Sequence, residues 1–133
     1  MRVAELMQTE VQTVLPDAVL NEVAVTLADY RISGLPVVDG SGRLIGVIST
    51  TDIVTAEEET DDRASRDALF ERTLVQDLMT PRPLTISPEA EVREAARQML
   101  QSDVHRLFVT DGERLVGVIS TTDIMRAVAA GRL

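Results

Sequence analysis

At 133 residues, with 44% apolar but only 2% aromatic side chains, the chain can build one compact domain or two small, closely packed ones around an aliphatic core. It has no cysteine, no lysine and one histidine, which excludes disulfides, cysteine–zinc sites, thiolate nucleophiles, Schiff-base chemistry and the lysine-dependent phosphate loop. Thirteen basic against 22 acidic residues leave a net charge of −9, which disfavours nucleic acid, and no apolar run reaches the roughly 18 residues of a membrane span. Without an apolar leader at its N-terminus, the chain is expected to be soluble and cytoplasmic.

In chain order, a short helical turn is expected at Val3–Met7, then an extended segment around Thr13-Val14 that ends at Pro16. Apolar residues at 20, 23, 24, 27 and 28 mark the buried face of a helix. Leu35-Pro36-Val37-Val38 reads as a strand entering a turn at Asp39-Gly40-Ser41-Gly42, with Leu44–Ile48 as its return and a second helix from Thr51. The acidic run Glu57-Glu58-Glu59-Thr60-Asp61-Asp62 reads as a solvated helix end and linker. Its carboxylates do not converge, so no metal is assigned.

The same elements then recur. A shift of 72 aligns Val3–Gly40 with Val75–Gly112 at twelve identities in 38 pairs, and a shift of 71 aligns Arg43–Ile53 with Arg114–Ile124 at ten in 11. The second copy has its turn at Val75–Met79 and an extended segment at Leu84-Thr85-Ile86. Ser87 is the expected N-cap, with Pro88 as first helical residue and a helix face at 92, 95, 96, 99 and 100. Strands follow at Leu107–Val109 and Leu115–Ile119, and a helix from Thr122. The fold class is α+β: two tandem β-α-β-β-α repeats, residues 1–60 and 74–133, joined by an acidic, helical linker at 61–73. Units this small bury little surface alone, so the repeats are expected to pack about a pseudo-twofold axis.

Gly-Val-Ile-Ser-Thr-Thr-Asp-Ile occurs at 46–53 and again at 117–124. Ser49…Asp52 and Ser120…Asp123 match a helix capping box, but a box needs only the serine and the acid, and both threonines are repeated as well. Hydroxyls and free N–H groups suit phosphate, and a carboxylate suits the diol of a ribose. Gly46 and Gly117 read either as strand glycines or as room for a close-lying ligand.

The duplicated unit, Leu-Pro-Val-Val-Asp at 35–39 and the Gly-x-x-Ser-x-x-Asp ending resemble cystathionine β-synthase (CBS) domains, here as a stand-alone pair or Bateman module. The resemblance implies a non-catalytic regulatory module that senses adenine nucleotides (AMP, ADP or ATP) in clefts between the repeats. S-adenosylmethionine, a dinucleotide or a ligand-free interaction scaffold are the alternatives. It implies an energy-sensing homodimer with a separate regulated enzyme or transporter as partner, and no catalytic cofactor. Carried over by position, ribose and phosphate fall to Ser49, Thr51, Asp52, Ser120, Thr122 and Asp123. The adenine pocket falls to Thr13, Val14, Leu20, Leu35 and Pro36, and to Thr85, Ile86, Val92, Leu107 and Phe108. Phe108 departs from the family's proline, which the first copy keeps at Pro36.

His105-Arg106 resembles the family's phosphate-contacting basic pair, whereas the first copy has Ser33-Gly34 there, with Arg31 two residues earlier. The two sites are therefore expected to differ, the one served by Arg106 holding phosphates more tightly. His105 has no nucleophile or second acid beside it in the sequence, and no catalytic residue is assigned.

Overall fold

The computed structural model describes residues 1–133. Its elements run α1 (Val3–Leu6), α2 (Leu20–Tyr30), β1 (Gly34–Val38), β2 (Leu44–Ser49), α3 (Thr50–Glu58), α4 (Arg63–Arg72), α5 (Val75–Leu78), β3 (Thr80–Pro81), β4 (Thr85–Ile86), α6 (Val92–Ser102), β5 (Arg106–Asp111), β6 (Arg114–Ser120) and α7 (Thr121–Ala129).

A four-residue helix does not hold itself together, because nucleation costs more than one turn returns. Both α1 and α5 survive because their first N–H groups are satisfied from the turn that precedes a long helix. Val3 and Ala4 N–H donate to the carbonyls of Ala90 and Pro88 at 2.8 and 2.9 Å, and Val75 and Gln76 N–H donate to those of Ala18 and Pro16 at 2.8 and 3.0 Å. Val3 and Val75 are completely buried. Each short helix is thus built into the other repeat. Two compact units result: a central one, Gln12–Pro83, and a terminal one of Met1–Val11 with Leu84–Leu133. The repeats are the units of the duplication, and the compact units exchange their N-terminal segments. Residues 63–72 of the expected linker form α4, which packs on α2 and lays Leu69 and Phe70 against the central core.

In the central unit β1, β2 and β3 form an antiparallel sheet, and Val14 adds a single parallel bridge to Val37. In the terminal unit β4 runs parallel to β5 and β5 antiparallel to β6, while Gln8 bridges to Val118. The apolar faces expected of the two long helices supply Leu20, Val23 and Leu27 to one core and Ala95 and Met99 to the other. The stripe is wider than the core, however. Ala28 is exposed and Leu100 is 84% exposed.

The helix start expected at Ser87 lies four residues later. Ser87 Oγ instead accepts the Glu89 N–H at 3.1 Å in a turn, and α6 begins at Val92, whose N–H donates to the Met1 carbonyl. The turn is needed there because its carbonyls hold α1. Both long helices end on a non-glycine residue in the left-handed region, Arg31 (φ 53°) and Asp103 (φ 53°), at equivalent positions of the repeat.

Two exposed carboxylates fix local structure. Asp39 accepts the N–H groups of Arg43 and Ser41 across the β1–β2 turn, and Asp62 caps α4 by accepting the Ser65 N–H, which holds both below the usual carboxylate range. A depressed pKa means that their contribution is complete above the ordinary carboxylate range and is lost as pH falls through the lowered values. An Asp39→Asn, Asp62→Asn variant should therefore lose less stability than the parent between about pH 5 and pH 2, as read from urea midpoints. Parallel acid limbs would refute it.

Candidate ligand-binding site

The repeated Ser-Thr-Thr-Asp segment sits at a strand-to-helix junction in each unit, β2–α3 and β6–α7. The capping box forms in both. Asp52 Oδ2 accepts from Ser49 N–H (2.9 Å) and Oγ–H (3.0 Å), while Ser49 Oγ accepts the Asp52 N–H. Asp123 Oδ2 accepts from Ser120 N–H (2.8 Å) and Oγ–H (2.9 Å), with the same return bond. The serine and one carboxylate oxygen are therefore used structurally. Thr51 and Thr122 are exposed and take no part in the box. Thr50 is anchored, its N–H and Oγ1 both donating to the Ser33 carbonyl at 2.9 and 3.2 Å.

The basic pair lies beside the same loop of its own unit. Arg106 is in register with Ser120 across β5 and β6, and Thr121 N–H donates to the His105 carbonyl at 2.9 Å. Both His105 and Arg106 are exposed. In the central unit Gly34 stands opposite Ser49, so that loop has no cation at the matching position.

The expected adenine residues divide. Thr13, exposed, and Val14, half-buried, line a pocket of about 410 Å³ in the central unit together with Asp17, Glu22 and Thr26, which the sequence did not single out. Thr85 is exposed at the start of β4. The side chains of Leu20, Leu35 and Leu107 are at most 1% exposed and belong to the cores, and Pro36, Ile86, Val92 and Phe108 are buried too. All seven are buried among the apolar residues that hold sheet and helix together. Phe108 sits in register between Thr85 and Val118.

Gly46 and Gly117 also resolve. A Cβ at Gly117 would lie 2.8 Å from the Gln8 carbonyl and 2.9 Å from Met7 Sδ, and one at Gly46 would lie 2.6 Å from Met79 Sδ and 3.0 Å from the Thr80 carbonyl. What fills the space is the segment after each short helix, from within the same unit, and not room left for a ligand.

The CBS-domain model matches residues 3–59 and 75–130, most of the chain in two copies. The chain belongs to the CBS-domain family. CBS relatives include a crystal structure of CBSX2 in complex with AMP, 26% identical with a TM-score of 0.83, covering 99% of this chain and 98% of that one. A putative acetoin utilization protein (AcuB) from Vibrio cholerae, 25% identical, has a TM-score of 0.85 and covers 98% and 91%. Inosine-5'-monophosphate dehydrogenase of Methanocaldococcus jannaschii is 33% identical over 92% of this chain, which spans 22% of that enzyme. Of the chloroplastic CBSX1 of Arabidopsis thaliana, 27% identical, the chain spans 59%. The chain thus matches only part of the length of these curated relatives. No helix of this chain is long and apolar enough to cross a membrane.

Proposed function

We propose that this CBS pair is a non-catalytic regulatory module that binds an adenine nucleotide, AMP, ADP or ATP, and acts on a separate enzyme or transporter. The observation that carries the reading is the likeness, along both chains, to the AMP-bound CBSX2. The local chemistry agrees with it. The Ser-Thr-Thr-Asp loops carry carboxylates and threonine hydroxyls of the kind that suit a ribose diol and phosphate, and Arg106 offers positive charge in a molecule whose net charge of −9 otherwise repels polyphosphates. Exposed apolar side chains on helices of both units, Val25, Tyr30 and Val54 in one and Leu100, Met125 and Val128 in the other, favour a homodimer formed through helix faces.

A thermal shift tests the ligand. An adenine nucleotide at about 100 times its Kd should add roughly 2.7 kcal/mol to stability and raise the melting temperature by several degrees. Native mass spectrometry of the same sample should show a dimer. If neither adenine nucleotides nor S-adenosylmethionine move the melting temperature, the chain is an interaction scaffold whose duplicated loops are only helix caps.

A further inference from the structure

We propose that Asp52 of the central unit is the one carboxylate available to a ribose diol, because Gln8 and Arg126 already occupy the matching carboxylate of Asp123. The assignment rests on the function proposed above and fixes how many adenosine ligands a chain holds.

Both acids commit Oδ2 to their capping boxes in the same way. The difference lies at Oδ1. In the terminal unit Asp123 Oδ1 accepts a hydrogen bond from Gln8 Nε2 at 2.9 Å and has Arg126 Nη1 at 3.5 Å, and the residue is only 6% exposed. In the central unit Asp52 is half-buried, and no protein group donates to its Oδ1. The repeat explains the contrast residue by residue. The shift of 72 places Thr80 where the terminal unit has Gln8, and the shift of 71 places Thr55 where it has Arg126. A threonine hydroxyl hangs on the β-carbon and falls well short of where a glutamine amide or a guanidinium reaches.

Gln8 is held in place for this contact. Its N–H and carbonyl both pair with Val118, at 2.8 and 2.9 Å, which pins its backbone to β6 just before α7 begins. A ribose diol presents two O–H donors and needs an accepting oxygen within reach. At Asp52 that oxygen is in contact with solvent. At Asp123 the diol must displace a charge-assisted hydrogen bond and a guanidinium from a carboxylate that solvent barely touches. One adenosine ligand per chain follows.

Titration calorimetry with AMP tests this on the intact chain. The parent should bind one AMP per chain, and Asp52→Asn should weaken AMP and adenosine alike by at least tenfold. A Gln8→Thr, Arg126→Thr variant should admit a second AMP, and adding Asp52→Asn to it should leave one. Two equivalent AMP molecules in the parent would overturn the assignment, as would a folded double variant that still takes one. Should the double variant fail to fold, the parent decides alone, since an Asp52→Asn protein that keeps the parent's affinity defeats the proposal. If no adenine nucleotide binds the parent at all, the proposed function falls and this assignment with it.

Discussion

Gly117→Ala is expected to destabilise the protein by about 1–3 kcal/mol, the usual cost of forcing atoms into a packed interior. The new methyl would sit 2.8 Å from the Gln8 carbonyl oxygen and 2.9 Å from Met7 Sδ. A methionine can swing away, but the carbonyl cannot easily do so. It accepts the Val118 N–H at 2.9 Å while the Gln8 N–H donates to the Val118 carbonyl at 2.8 Å, so retreat would break both bonds of the bridge. Gly46→Ala should cost less, because its closest contact is the Sδ of Met79 at 2.6 Å, and the Thr80 carbonyl lies farther off at 3.0 Å. Urea unfolding of the two variants gives the order. Because Gln8 is the residue that covers Asp123, the Gly117 variant should also loosen that contact. Unchanged midpoints together with weakened nucleotide binding would reverse the reading and make these glycines a ligand's clearance.

What the sequence made legible was local or periodic. The duplication set the order of elements, and the 3.6-residue spacing placed Leu20, Val23 and Leu27 inward as α2 requires. The capping pattern at Ser49 and Ser120 predicted bonds that are present. Where the reading fell short, the deciding contact lay far away in sequence. Ser87 looks like an N-cap until α1, more than 80 residues earlier, is found bonded to the carbonyls of Pro88 and Ala90. Leu100 continues an apolar stripe in sequence but projects past the edge of the core that Met99 fills.

Gln8 and Arg126 were illegible for a related reason. A glutamine at the end of a short helical turn has many uses, and its contact with Asp123 spans 115 positions. The one signal in the sequence was that the copies disagree there, Gln8 against Thr80 and Arg126 against Thr55, while agreeing at the neighbouring serine and acid. In a tandem repeat the mismatches beside a shared motif carry as much chemistry as the motif. His105-Arg106 against Ser33-Gly34 is a second mismatch of this kind.

In the Gln8→Thr, Arg126→Thr variant, whose terminal loop is open to a second ligand, Arg106→Ala is expected to weaken AMP and ATP at that loop by about tenfold or more, and adenosine much less. The side chain is exposed at the start of β5, opposite Ser120, and Thr122, two residues further along the loop, is exposed as well. A guanidinium stays charged at any physiological pH and can grip two phosphate oxygens with parallel hydrogen bonds. One hydrogen bond to a charged group contributes roughly 1.5–3 kcal/mol, and its exposure to solvent places Arg106 at the lower end. Since about 1.4 kcal/mol is tenfold in affinity, the expected loss is readily measured. Arg31→Ala is the control: it removes the same charge from the exposed C-terminal cap of α2, in the unit whose loop has Gly34 opposite Ser49. Both substitutions remove one positive charge, so a general field effect would weaken both equally. Calorimetry with adenosine, AMP and ATP against the two variants separates these possibilities. A loss for adenosine as large as that for ATP, or an equal loss in Arg31→Ala, would remove Arg106 from the phosphates.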